Sequence, residues 1–164
     1  MTLELQHISK SYDGLPVLKN LNLSFQQGQC YCLMSPSGSG KTTLLRILMG
    51  LEQADHGLIL ADGTPQDMSS LPASAVFQED RLCDNLDPSA NIRRVAVARA
   101  LLIPSHILLM DEPFTGMDDE LKRNVISYIR EKQDGRLLIL STHQEEDVEL
   151  MGGELVRLEN CMDV

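Results

Sequence analysis

The chain contains 164 residues, which is long enough for one domain with a substantial core and too short for two domains of ordinary size. Because 43% of the residues are hydrophobic and only 4% are aromatic, the core is expected to be aliphatic. Its net charge of −10 argues against nonspecific binding to nucleic acid or to an anionic bilayer surface. Its apolar runs are well below the roughly 20 residues of a membrane span, and its first residues lack the basic segment and apolar core of a signal peptide. We therefore predict a single cytoplasmic domain over residues 1–164, with no nucleic-acid partner and no membrane span.

The first third of the chain predicts strands followed by a helix. Residues 3–8 alternate between apolar and polar types, as in a half-buried strand, and the run Leu18–Phe25 indicates a second strand. The apolar run Cys30–Met34 is typical of a buried strand, and a helix is expected from about Lys41. The apolar residues expected on one face of that helix are Leu44, Leu45, Ile47, Leu48 and Leu51.

The rest of the chain alternates between predicted strands and helices. Asp87 and Pro88 suit the cap and first residue of a helix that Pro104 ends, and a second helix is expected over Asp118–Lys132. The apolar face of the first of these helices is predicted to contain Ile92, Val95, Ala96, Ala100 and Ile103. The predicted strands are Leu58–Leu60, Ala73–Phe77, Ile107–Met110 and Leu137–Leu140. This alternation indicates an α/β fold, a three-layer sandwich with a mostly parallel core sheet and an N-terminal antiparallel β subdomain.

The cysteines are few and irregularly spaced, at positions 30, 32, 83 and 161. In a strand, Cys30 and Cys32 have their thiols on the same face. A metal or redox site is one interpretation of this pair, and two buried structural thiols are the favoured one.

A phosphate-binding loop follows the strand predicted at Cys30–Met34. Small residues allow backbone N–H groups to approach phosphate oxygens, Lys41 adds a charge near the β- and γ-phosphates, and the Thr42 hydroxyl suits Mg²⁺. The residues expected to bind nucleotide here are Ser35, Pro36, Ser37, Gly38, Ser39, Gly40, Lys41, Thr42 and Thr43. The usual pattern G-x-x-x-x-G-K-[ST] has glycine where this chain has Ser35, so the turn that begins the loop must accommodate a side chain. A Gly/Ser-rich surface turn is the alternative, and the flanking strand and helix argue against it. The fold class is therefore that of a P-loop NTPase.

Two carboxylates end the strand predicted at Ile107–Met110. A carboxylate at this position can hold Mg²⁺, and the next one can polarise an attacking water. We assign Asp111 to the metal and Glu112 to general-base catalysis, against the alternative of an ordinary acidic exit from a strand.

Three further side chains are candidates for the same site. His143 follows another core strand, where strand ends surround the ligand in such sheets, and it could contact the γ-phosphate. Gln78 directly follows the strand predicted at Ala73–Phe77, and its side-chain amide could coordinate Mg²⁺ or orient water. The ring of Tyr12 could stack on adenine, although a core or turn tyrosine is about as frequent.

In this order, these motifs resemble the ATP-binding subunits of ABC transporters along nearly the whole chain. The resemblance implies that Tyr12 stacks on adenine, that Gln78 is the Q-loop glutamine and that Asp111 binds the metal. It also implies that Glu112 is the catalytic glutamate and His143 the switch histidine, with Lys41 acting in catalysis. The implied ligands are ATP and Mg²⁺. The implied partners are a membrane permease and a second ATPase subunit, with the protein at the inner face of the cell membrane.

The family's signature sequence, L-S-G-G-Q or a near relative, is missing from the chain. The stretch between Gln78 and Asp111 has no room for the family's helical subdomain, so an internal deletion is predicted near Arg93. Because a signature from one subunit contacts the ATP of the other, we expect ATP hydrolysis to be slow or to require a complete partner. A regulatory or vestigial ATP-binding module without transport is the alternative, and an ATPase acting on DNA is disfavoured by the acidic charge.

Overall fold

The computed structural model describes residues 1–70, 72–77 and 89–160. The strands are β1 (Thr2–Tyr12), β2 (Leu15–Gln26), β3 (Cys30–Leu33), β4 (His56–Ala61), β5 (Thr64–Pro65), β6 (Ala73–Val76), β7 (Ile107–Met110), β8 (Leu137–Ser141) and β9 (Glu154–Val156). The α-helices are α1 (Lys41–Leu48), α2 (Ser89–Leu102), α3 (Asp119–Lys132) and α4 (Glu145–Met151). Single turns of 3₁₀ helix occur at Met68–Ser70 and Leu158–Asn160.

The strands form two sheets, as the sequence predicted. An antiparallel four-stranded sheet has the order β2-β1-β4-β5, and a parallel five-stranded sheet has the order β6-β7-β8-β3-β9. In the parallel sheet, Met110 of β7 pairs with Leu140 of β8, and Leu33 of β3 pairs with Ser141. The carboxyl ends of these three strands therefore lie side by side at one edge of the sheet.

Apolar side chains cover both faces of the parallel sheet. On one face Ile107 and Leu109 of β7 join a cluster with α1 and the antiparallel sheet. On the other, Leu108 and Met110 join a cluster with α2, α3 and α4. Burial on both faces explains why β7 and β8 are continuous apolar runs without alternation. The three-layer α/β prediction is confirmed.

The predicted apolar face of α2 is wrong in part. Val95 is 68% exposed and Ile103 47%, whereas Val97, Ala100 and Leu101 are buried. Apolar residues surround most of this helix, so spacing alone does not select the face that packs on β6. The predicted start of the helix at Asp87 and Pro88, and the side chain of Ile92, lie outside the described part of the chain.

Helix α3 begins where the sequence predicted, whereas α1 ends before Leu51, which was predicted to lie on its apolar face. Helix α1 ends at Leu48, before Gly50 in the left-handed region at φ 70°, so Leu51 is not on its buried face and is 64% exposed. Helix α3 begins as predicted, because the Asp118 carboxylate accepts a 2.8 Å hydrogen bond from Leu121 N–H. None of the helices in the described ranges is long and apolar enough to cross a membrane.

Candidate functional site

The phosphate loop depends on two glycines for its shape. Gly38 and Gly40 have φ of 80° and 92°, a region that favours glycine. A Cβ on Gly40 would lie 2.6 Å from Leu18 Cδ2, whereas one on Gly38 would meet nothing within 4 Å. The buried Ser39 hydroxyl has no hydrogen-bond partner among the described residues. Open space over Gly38 and an orphaned polar atom at Ser39 both fit a loop that receives a polar ligand.

Ser35 takes the position of the usual glycine without a positive φ, so a side chain is tolerated there. The side chain is buried and accepts a 2.9 Å hydrogen bond from the backbone N–H of Leu158. It also donates to the Glu159 carboxylate, which lowers the pKa of Glu159. The C-terminal 3₁₀ turn therefore holds the first residue of the phosphate loop, a contact that motif spacing does not reveal.

Lys41 lies folded over the loop that precedes it. Its Nζ donates to the carbonyl oxygens of Ser35 at 2.5 Å and Pro36 at 3.2 Å, and the residue is only 6% exposed. Burial lowers the pKa of Lys41, while the carboxylates of Glu112 and Asp111 act in the opposite direction. These contacts hold a cation where the sequence predicted one.

Asp111 is the centre of a buried hydrogen-bond network. Thr42 Oγ1 donates to its Oδ2 at 2.7 Å, and Ser141 Oγ donates to its Oδ1 at 2.6 Å. The Ser141 oxygen also accepts the backbone N–H of Glu112 at 2.8 Å. The structure thus brings together two of the three residues predicted to bind metal, Thr42 and Asp111. Sequence analysis missed Ser141, although the pairing of β7 with β8 would have placed it beside Asp111.

Glu112 and His143 face each other across this edge of the sheet. Glu112 Oε1 lies 2.6 Å from His143 Nε2, and Glu112 Oε2 accepts a long hydrogen bond from Thr115 Oγ1 at 3.4 Å. The backbone of Glu112 has φ of 46°, which is uncommon for a residue with a Cβ. Strained backbone held by surrounding contacts is frequent at functional sites. Glu112, predicted to be the general base, and His143, predicted to contact the γ-phosphate, are therefore paired.

A buried ion pair supports the loop that contains His143. Lys122 Nζ lies 3.1 Å from Asp147 Oδ1, and both residues are buried. Thr142 Oγ1 donates to Asp147 Oδ2 at 2.5 Å and accepts the Gln144 N–H at 3.1 Å. Hydrogen bonds thus link the start of α3 to the residues on both sides of His143. Helical spacing places Lys122 on the same face of α3 as the buried Val125 and Ile126. Its partner Asp147 lies 25 positions later in the chain, so motif spacing gave no sign of the pair.

Tyr12 completes one wall of an open cavity of about 390 Å³ above the phosphate loop. Its ring is 39% exposed, with Lys10 Nζ 5.4 Å from the ring centroid. The cavity is lined by Tyr12, Val17, Ser37, Gly38, Gly40, Lys41, Thr42, Thr43, Glu112 and His143. Gln78, predicted to bind metal and nucleotide, lies outside the described residues.

The donor set at Thr42 and Asp111 fits Mg²⁺. This ion prefers oxygen ligands and is usually held by one or two protein side chains together with phosphates and water. The described ranges contain no group of three or more His, Cys, Asp or Glu side chains that could enclose a metal by themselves. A hydroxyl and a carboxylate beside a phosphate loop therefore suit Mg²⁺ that arrives with a nucleotide.

Comparison with known proteins agrees with this geometry. The family model described as "ABC transporter" matches residues 18–91. The sulfate/thiosulfate import ATP-binding protein CysA of Xanthomonas campestris is 32% identical over 203 residues, covering 92% of this chain and 59% of that protein. The spermidine/putrescine import ATP-binding protein PotA of Spiroplasma citri is 30% identical, covering 94% of this chain and 58% of that protein. The chain thus spans less than two thirds of the length of these curated relatives.

Solved structures show the same fold at lower identity. A putative ABC transporter ATP-binding protein from Pyrococcus furiosus superposes with a TM-score of 0.80 at 21% identity, covering 99% of this chain and 100% of that one. The bacterial ABC transporter cassette MJ0796, whose structure is described as dimeric, also gives 0.80 at 21% identity, covering 95% and 94% of the two chains. The phosphate loop, the paired carboxylates and the histidine at one edge of this sheet, together with these similarities, support an ABC transporter ATP-binding domain.

Proposed function

We propose that the chain binds Mg-ATP above its phosphate loop and hydrolyses it as the ATP-binding subunit of an ABC transporter. The observation that carries this proposal is the convergence of Lys41, Thr42, Asp111, Glu112 and His143 at one edge of the parallel sheet. The relatives described as import ATP-binding proteins support an assignment to transport.

The phosphate loop and β7 supply the binding groups in this proposal. The loop N–H groups and Lys41 receive the β- and γ-phosphates, and Lys41 exchanges its carbonyl partners at Ser35 and Pro36 for phosphate oxygens. Thr42 and Asp111 hold Mg²⁺, which neutralises charge on the phosphates when bound. Gln78 is assigned to the same ion from the family pattern alone.

Glu112 acts as the general base that orients and deprotonates the attacking water. Its carboxylate lies 2.6 Å from His143 Nε2, so the histidine keeps it directed across the cavity that the phosphate loop lines. Ser141 holds the Glu112 backbone through its N–H, which preserves the left-handed conformation at that residue. Tyr12 forms the part of the wall where an adenine ring can stack.

Hydrolysis is proposed to be slow unless a complete second ATPase subunit supplies its signature sequence. The alignment to the Xanthomonas relative extends over 203 residues, which exceeds the 164 residues of this chain, so that relative contains residues without a counterpart here. The family match also ends at residue 91, close to the deletion predicted near Arg93. Without a signature, a homodimer lacks donors that stabilise charge on the transferred phosphate.

The variant Glu112→Gln tests the proposal, with Glu149→Gln on the exposed surface of α4 as the matched control. We expect Mg-ATP to raise the thermal stability of wild type and both variants, since binding to the native state alone stabilises it. With a full-length ABC ATPase subunit as partner, Glu112→Gln should lose phosphate release by about 100-fold or more, the usual contribution of a general base. The control variant Glu149→Gln should release phosphate at the wild-type rate.

Three results would contradict this assignment. Absence of stabilisation by Mg-ATP overturns nucleotide binding at the loop. Rapid cooperative hydrolysis by the chain alone, abolished in Glu112→Gln, overturns the need for a complete partner. Stabilisation by Mg-ATP without phosphate release under any partner condition favours a regulatory module that only binds the nucleotide.

A further inference from the structure

Two thiols converge on one point beneath the turn that joins α4 to β9. A Cβ built on Gly153 would lie 2.8 Å from Cys32 Sγ and 2.9 Å from Cys30 Sγ, closer than side-chain atoms approach one another. Gly153 does not have a positive φ, so the backbone does not require glycine there. Glycine is required there for steric reasons, because both sulfur atoms lie within 2.9 Å of the position that a Cβ would take.

The two thiols differ in exposure and in the direction of their pKa shifts. Cys32 is 0% exposed, whereas Cys30 is partly exposed. The Cys32 S–H donates to the Cys30 sulfur, and this contact lowers the pKa of Cys30 despite its burial, with help from the positive charge of Arg130. The same contact and burial raise the pKa of Cys32. Cys30, which is partly exposed and the more acidic of the two thiols, is therefore the one that reacts first, and Cys32 is the second thiol beside it.

The spacing of the pair is at the limit that a disulfide allows. Alternate Cα atoms of a strand are separated by about 6.6 Å, and disulfides span Cα distances up to about 6.8 Å. The Cβ atoms lie about as far apart as the Cα atoms, because side chains on one face of a strand stand roughly parallel, whereas a disulfide needs a Cβ separation of about 3.5–4.5 Å. Closure between Cys30 and Cys32 therefore requires the backbone of β3 to move.

We propose that Cys30 and Cys32 form a peroxide-oxidised thiol pair that closes to a disulfide and weakens nucleotide binding. The Cys30 thiolate attacks one oxygen of hydrogen peroxide, an S–O bond forms as the O–O bond breaks, and the leaving hydroxide takes up a proton as water. The Cys32 sulfur then attacks the Cys30 sulfur, and the S–O bond breaks as the hydroxyl leaves with the Cys32 proton as a second water. Two thiols are oxidised for each peroxide reduced to two waters.

The effect on nucleotide follows from the position of β3 in the sheet. Cys32 pairs with Leu140 of β8 on one side and with Leu155 of β9 on the other, and β3 ends at Leu33, two residues before the phosphate loop begins at Ser35. A pull on this strand displaces the start of the loop. This second part of the inference depends on the proposed function, whereas oxidation of the pair does not.

The test uses the chain with Cys83→Ser and Cys161→Ser, which leaves Cys30 and Cys32 as its two thiols. After hydrogen peroxide, we expect a loss of about 2 Da in intact mass, reversed by a reducing agent. Adding Cys32→Ser should instead leave a sulfenic acid that dimedone traps, and adding Cys30→Ser should abolish fast oxidation. The reduced protein should bind Mg-ATP at least about fivefold more tightly than the oxidised one, a coupling of ordinary size.

Each result separates the two claims. Retention of both thiols after peroxide, or equal reactivity in the Cys30→Ser variant, overturns the oxidation site. A disulfide that forms without changing ATP affinity overturns its coupling to the loop. If reduced protein fails to bind Mg-ATP, the proposed function fails, while the mass measurement still decides whether the pair is oxidised.

Discussion

The variant Ser141→Ala removes a buried hydroxyl that connects the Asp111 carboxylate to the backbone of Glu112. Ser141 is 0% exposed and makes two hydrogen bonds, donating to Asp111 at 2.6 Å and accepting from the N–H of Glu112 at 2.8 Å. Alanine leaves a buried N–H without its acceptor and a buried carboxylate without one donor. Each loss costs about 1–3 kcal/mol, so we expect the free energy of unfolding to fall by about 3 kcal/mol and Tm by about 6–12 °C for a chain of this size.

The matched control is Ser74→Ala. Ser74 is also buried, and its hydroxyl donates to Ala100 O at 3.0 Å and contacts Ser105 Oγ at 2.9 Å, far from the carboxylates. Its partners are a carbonyl with a second lone pair and a hydroxyl that can turn, so we expect a loss of about 1 kcal/mol.

Thermal unfolding with and without Mg-ATP separates the two variants. Ser74→Ala should keep the wild-type dependence of ATP stabilisation on Mg²⁺. Ser141→Ala should require more Mg²⁺, because Asp111 loses the hydroxyl that orients the carboxylate proposed to bind the metal. If Ser141→Ala matched Ser74→Ala in both Tm and Mg²⁺ dependence, the buried network would have no special role at the site.

Two other perturbations test the loop and the ion pair. Gly40→Ala should destabilise the fold more than Gly38→Ala in denaturant titrations, since left-handed backbone costs alanine about 1–2 kcal/mol at either position but a Cβ on Gly40 also meets a leucine methyl at 2.6 Å. Equal losses would refute the packing argument. Lys122→Met should cost about 3 kcal/mol by leaving Asp147 buried without its cation, and much of this loss should return in the double variant Lys122→Met/Asp147→Leu. Burial opposes the charge of Lys122, but hydrogen bonds with Glu146 and Asp147 outweigh it and raise its pKa above the usual 10.5. Its stabilising contribution should therefore be complete below pH 10.5 and decline as the pH rises through the raised value, and a wild-type to variant difference that stays constant to higher pH would contradict this.

Much of the sheet and the strand-end residues of the site could be predicted because they follow from local pattern. The unbroken apolar runs of β7 and β8 indicate strands buried on both faces, and side chains at the carboxyl ends of such strands face the ligand. Asp111, Glu112 and His143 were located in this way, and the structure brings them together.

The supporting contacts could not be predicted because they join residues that are distant in sequence. Ser35 bonds to Leu158 across 123 positions, and Ser141 bonds to Asp111 across 30. The hydrogen-bond partner of a serine that follows an apolar run depends on the strand register, which the sequence alone does not give. The buried side of α2 was missed for a related reason: apolar residues on several sides leave the choice of face to tertiary packing.

The position predicted for the deletion lies in the crossover between two adjacent strands of the parallel sheet. Strands β6 and β7 are adjacent and parallel, with Val76 paired to Met110, and such a connection needs only about a dozen residues. Helix α2 provides it, anchored by the hydrogen bond from Ser74 to Ala100. The phosphate loop, both carboxylates and His143 therefore lie along one continuous sheet, whereas the predicted deletion would remove the surface that a family member offers to its partner's ATP. If the proposed function holds, binding and hydrolysis should separate in this protein, because the proposed binding groups lie within the sheet edge whereas the proposed turnover requires a second subunit.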